Sequence, residues 1–237
     1  MKTKHFFRLM AAFLLAAVLP ISFASCGDDD DTPIENLTPE GRAAVAVDLG
    51  LPSGTKWADR NVGASSASDY GGYFAWGETS TKSDYDWSTY LYGSGWGELT
   101  KYCTESNCGK DGFTDDKTEL ELSDDVAHKQ WGGSWRMPSK EQFEELINNT
   151  TSEFTTVNNV KGYLFTASNG NSIFLPAAGY RDDTSLDDAG SNGNYWSRTL
   201  NGTLLAYDLY FYSDGVAVYY SGYGDRNFGL TVRPVRP

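Results

Sequence analysis

Basic residues are scarce in this chain. Its 237 residues carry 19 Lys and Arg against 32 Asp and Glu, a formal net charge of −13. Nucleic-acid binding needs clustered cations to neutralise phosphates, so this balance argues against it. It argues equally against adhesion to anionic surfaces by charge alone. Histidine is rarer still, with only His5 and His128. A Ser-His-Asp or Cys-His centre in the body of the chain would have to use His128, and its setting, "DDVAHKQW", fits a capping or packing role better. There is no His-Glu-x-x-His and no phosphate-binding glycine loop. No apolar run reaches the roughly twenty residues that cross a bilayer. Repeats at solenoid or propeller period are absent. Nothing among these residues builds a catalytic centre, so no enzyme and no cofactor are expected.

Cysteine is limited to Cys26, Cys103 and Cys108. In "KYCTESNCGKDG" the second and third lie close together among Ser, Asn and Gly. Two cysteines without two further ligands nearby do not make a metal site. In an oxidising compartment a small loop disulfide between Cys103 and Cys108 is the expectation.

The N-terminus is informative. "MKTKHFFRLM" is basic, and "AAFLLAAVLPI" is apolar but short, the pattern of a secretory signal over residues 1–25. The break "FASC" resembles a lipobox, which implies lipidation of Cys26. The run "GDDDD", Gly27–Asp31, cannot pack beside a membrane anchor and reads as a solvated spacer. It resembles the acidic export tag of surface-displayed lipoproteins in Bacteroidetes-type bacteria. Residues 26–44 are therefore expected to be a lipidated, acidic tether, and residues 45–237 one domain. The resemblance implies an outer-membrane protein, lipid-anchored and facing the cell exterior.

Two segments read as helices. "SDDVAHKQWGG" has Ser123 as its candidate N-cap and stops at Gly132. "PSKEQFEELINN" has Ser139 and Gln142 at capping-box spacing, and Phe143, Leu146 and Ile147 on one stripe. Glu141, Glu144 and Glu145 lie on the opposite, solvated side. Most other signals are short strands broken by glycine, with a hairpin over residues 162–175. Strands around two helices without βαβ alternation give an α+β fold. The acidic stretch "RDDTSLDDAGSNGN" offers Asp182, Asp183, Asp187 and Asp188. It lacks the spacing of a twelve-residue calcium loop, and two readings stay open, a solvated loop or a structural calcium ion.

Six segments in order carry a family resemblance: "WADRNVG", "YGGYFAWGE", "GGSWRMPSKEQFEEL", "IFLPAAGYR", "NYWSRT" and "GLTVRPVRP". Together they resemble the Fibrobacter succinogenes major paralogous domain. "WRMPSKEQFEEL" and the closing G-x-x-V-R are also similar to the formylglycine-generating-enzyme group, which implies a C-type-lectin-like fold. That fold implies that "VAVDLGL" and "LTVRPV" lie near each other, with a ligand site in long irregular loops. The calcium-and-sugar motifs of the lectin branch are missing, and so are the C-terminal cysteines of the enzyme branch. The resemblance implies a fold rather than either chemistry.

The densest aromatic stretch is "YDLYFYSDGVAVYYSGYGD", Tyr207–Asp225. Asp214-Gly215 predicts a two-residue hairpin turn that sets Phe211 opposite Val218 and Tyr210 opposite Tyr219. Leu209, Phe211, Val216 and Val218 then face the core, while Asp208, Tyr210, Tyr212, Ala217, Tyr219 and Ser221 face outward. With Tyr223, these outward residues form the expected ligand-binding set. Tyr, Ser, Gly, Asp and Asn are the palette of antibody-type binding surfaces. The alternation resembles retroelement-diversified C-type-lectin-like variable proteins. Expected partners are a protein or glycan on another cell, host or phage. A scaffold role, as a pilus-tip or envelope-assembly subunit, is the alternative.

Overall fold

A computed structural model describes residues 36–219 and 224–237. The signal segment and Cys26 therefore lie outside the described residues. Among those described, no helix is long and apolar enough to cross a membrane.

The fold starts earlier than expected. Helix α1, Pro39–Ala43, is capped by Thr38. Thr38 N donates to Trp131 O at 3.0 Å, and its hydroxyl donates to Gln130 O at 2.7 Å. Gly41 sits so close that an added Cβ would lie 2.1 Å from Trp131 O. The stretch from Asn36 to Ala44, assigned to the tether, is thus docked on helix α2, Val126–Trp131. That helix is capped by Asp125 rather than Ser123, the Asp125 carboxylate accepting from His128 N. Asp125 also binds Arg136 and Met137 N, which explains why the cap shifted.

Helix α3, Lys140–Asn149, carries the capping box expected of Ser139 and Gln142. Phe143 and Leu146 are its buried residues. The chain turns from α3 directly into β3, Thr150–Val157, then β4, Val160–Ala167, and β5, Ser172–Pro176, an antiparallel meander. The β4–β5 pair is the hairpin expected over residues 162–175. Strand β3 was not anticipated.

The terminal segments share one sheet, as expected of neighbours, but do not pair with each other. Strand β2, Lys56–Ala58, lies between β1, Ala46–Asp48, and β11, Val235–Arg236. A short hairpin joins β6, Tyr180–Asp182, to β7, Ser185–Asp187. The last sheet has the order β10-β9-β8, from β8, Gly193–Asn201, β9, Leu205–Tyr212, and β10, Gly215–Tyr219. This mixture of small antiparallel sheets and few helices is α+β.

The β8–β9 pair has core on both faces. Alternation sends Tyr195, Leu209 and Phe211 one way, into a cluster with Trp57, Phe143 and Leu146. It sends Trp196 and Ala206 the other way, into a cluster with Trp76, Trp131 and Trp135. Two indole N–H groups lock that second cluster, Trp196 Nε1 to Phe74 O and Trp76 Nε1 to Ser197 O, both at 2.8 Å. Indole rings buried with their donors satisfied contribute area without the cost of a lone polar atom.

Candidate functional site

The tyrosine hairpin forms, with its turn one residue earlier than expected. Ser213 and Asp214 make the turn, and the register pairs Tyr212 with Gly215, Phe211 with Val216, Tyr210 with Ala217 and Leu209 with Val218. Gly215 does not use the left-handed backbone that the expected turn demanded. The Ser213 hydroxyl donates to Asp214 Oδ1 at 2.8 Å, a local bond within the observed turn. Tyr210 therefore faces Ala217 rather than Tyr219. Because the pairing moves by two, each described side chain keeps its expected face.

The inner face behaves as expected. Leu209 and Phe211 are fully buried, and Val216 and Val218 pack against the same cluster. On the other face Tyr210 is half-buried, Ala217 is exposed and Tyr212 is 43% exposed. The Tyr210 and Tyr212 rings lie side by side with centroids 5.8 Å apart. Tyr219 pairs with Asp208 through the backbone. Ser221 and Tyr223 lie outside the described residues.

Asp208 must be removed from the outward set. It is fully buried, and among the described residues neither carboxylate oxygen has a partner. Its register partner on β8 is Trp196, also fully buried, so this end of the outer face is covered by core. Among the described residues of this face, Tyr210, Tyr212 and Ala217 reach solvent. Burial pushes the Asp208 carboxyl well above the usual carboxylate range, which favours the neutral acid. Asn194, on the same face of β8, is likewise fully buried, with its side-chain amide unpartnered among the described residues. Sequence reasoning missed Asn194, since alternation gives a face but not what covers it.

The expected disulfide is not formed. Cys103 and Cys108 are buried free thiols. Cys103 Sγ donates to Glu105 O at 3.1 Å, and Cys108 Sγ lies 3.4 Å from Asn107 Oδ1. Both pack with Leu99 as small apolar groups, so each sulfur has a local role without the bond.

The four aspartates proposed for calcium sit on the β6–β7 hairpin and just beyond it. Asp188 is already engaged, its Oδ2 accepting from Asn192 Nδ2 at 2.8 Å. Among the described residues no group of three or more His, Cys, Asp or Glu is placed to hold a metal ion.

Residues 150–235 match a family described as a domain of unknown function, DUF8237. That span runs from β3 into β11 and includes the tyrosine hairpin. No curated protein and no solved structure matches the chain.

Proposed function

We propose that this protein is a binding module, displayed on the outer surface of the cell by a lipid at Cys26, whose C-terminal hairpin contacts a protein or glycan partner. The fold reading that goes with it is C-type-lectin-like. It is supported by one sheet that holds both terminal segments and by long loops between Ala58 and Val126 with only short 3-10 turns.

One observation carries the binding reading. Tyr210 and Tyr212 present adjacent rings on the face opposite a fully buried Leu209 and Phe211. A rigidly anchored hairpin holding aromatic rings at its tip suffers little entropy loss on binding. Ala217, across from Tyr210, leaves room beside the rings.

The test is a double replacement, Tyr210→Ser with Tyr212→Ser. Folding is expected to survive, with a melting temperature within a few degrees of wild type. Capture of at least one ligand in a screen of immobilised glycans and cell-surface proteins is expected to disappear. Unchanged capture defeats the reading. A collapse of melting would instead assign the rings to the scaffold.

A further inference from the structure

Five of the seven tryptophans, Trp57, Trp76, Trp131, Trp135 and Trp196, are at most 2% exposed. Trp96 is 63% exposed. Its loop, "GSGWGE", places Gly93, Gly95 and Gly97 at positive φ, a path that holds the indole out of the core. Below it is a hollow of about 520 Å³, which Trp96 lines together with Glu105, Asn201, Gly202, Leu204 and Asp225. That volume is in the range of small-ligand sites.

The floor is rigid. Arg226 follows Asp225 and is fully buried. Its guanidinium donates to Thr203 O at 3.0 Å, Tyr102 O at 2.9 Å, Lys101 O at 3.0 Å and the Tyr90 hydroxyl at 3.0 Å. The backbone bond from Arg226 N to Leu204 O, 3.1 Å, ties the 225 segment to the 201–205 turn. On the other side, Leu204 packs on the cluster of Leu99, Cys103 and Cys108, which carries the Trp96 loop. Three separate segments are thereby fixed around one hollow before any ligand arrives.

We propose that this hollow is a subsite for a neutral sugar ring. A pyranose has an apolar C–H face and a rim of hydroxyls. The exposed indole offers a flat apolar wall for the first. Glu105 and Asp225 offer acceptors, and Asn201 offers both donor and acceptor, for the second. Asp225 is half-buried, and burial together with the nearby Asp182 carboxylate raises its pKa. Two acidic side chains in a chain of net charge −13 exclude uronates and phosphosugars by repulsion. A single aromatic wall is not the cage that a quaternary ammonium takes. This subsite lies at the base of β9, the end opposite the Tyr212 tip, and does not depend on the hairpin.

Affinity electrophoresis tests it, in native gels containing dextran, laminarin or yeast mannan, with polygalacturonate as the anionic control. The wild-type protein is expected to be retarded by at least one of the three neutral polysaccharides and not by polygalacturonate. Trp96→Ala is expected to weaken that retardation at least tenfold, and Asn201→Ala severalfold. Trp96 is exposed and Asn201 half-buried, so melting should be little changed. The Tyr210→Ser, Tyr212→Ser variant should be retarded like wild type. No retardation by any neutral polysaccharide overturns the proposal. So does equal retardation of Trp96→Ala, and if the tyrosine variant alone loses binding, the sugar belongs to the hairpin.

Discussion

Phe211 lies directly across the β8–β9 ladder from Gly193, and its ring covers the glycine so closely that an added Cβ would lie 2.1 Å from Cζ. The ring cannot easily move aside. Tyr163 is 5.0 Å away between centroids and Tyr195 is 6.1 Å away, with Phe154 beyond at 6.5 Å. Gly193→Ala is therefore expected to overpack the core beneath the tyrosine hairpin. The cost should be about 1–3 kcal/mol, read as a lower midpoint in urea unfolding. Phe211→Leu in the same background should recover part of the loss, because a smaller side chain frees the space.

Asp208 gives the stability a pH dependence. Its folded pKa is raised by burial, whereas the unfolded chain titrates near the ordinary carboxylate value. Below that value both states hold the proton and the group is neutral in its effect. As pH rises above about 4, the unfolded state loses its proton first, so this group's contribution to stability falls until the folded pKa is reached. The loss is about 1.4 kcal/mol for each unit separating the two values. Asp208→Asn cannot ionise, so it should be more stable than wild type at pH 7 and lose that advantage near pH 3. Urea midpoints at the two pH values measure the difference. An advantage that persists at pH 3 would mean that ionisation is not the cause.

What the sequence discloses is mainly local. The capping box of Ser139 and Gln142 involves residues three apart, so its chemistry is visible before any fold is known. The two faces of the β9–β10 hairpin follow from alternation and survived a shifted turn. Strand β3 escaped notice because "TTSEFTTV" is mostly polar, with no fully buried residue and no apolar stripe. Its turn was the available signal, since Asn158 and Asn159 adopt φ of 50° and 65°, the left-handed pair that asparagine tolerates. Coverage from distant segments is the part that stays hidden. Nothing near Asp208 in the chain announces Trp196 and the second core, and nothing around Trp96 announces Asp225.

The free thiols make a direct chemical prediction. Cys103 and Cys108 are both fully buried. A thiol reagent such as DTNB should find no reactive group in the folded domain, and should titrate both once the chain is unfolded in guanidinium. The measurement needs protein in which Cys26 is replaced or lipidated. If neither thiol titrates in unfolded, unreduced protein, the pair is a disulfide after all.

Arg226 is expected to be the most sensitive single position in the loop region. It is a buried cation with no carboxylate partner among the described residues, compensated by three backbone carbonyls, the Tyr90 hydroxyl and aromatic faces. The guanidinium carbon lies 5.0 Å from the Trp76 ring centre and 5.3 Å from that of Tyr90. Arg226→Met removes the charge and the donors together and leaves those acceptors without partners. Hydrogen bonds to a charged group are worth about 1.5–3 kcal/mol each, non-additively, so a loss of about 3 kcal/mol or more is expected. Arg226→Lys keeps the charge but not the planar fork, and a single ammonium cannot serve acceptors spread over residues 90, 101, 102 and 203. It should therefore rescue little, and guanidinium unfolding of the two variants should give similar midpoints. If lysine restores the wild-type midpoint, charge alone holds these loops and the fork geometry is irrelevant.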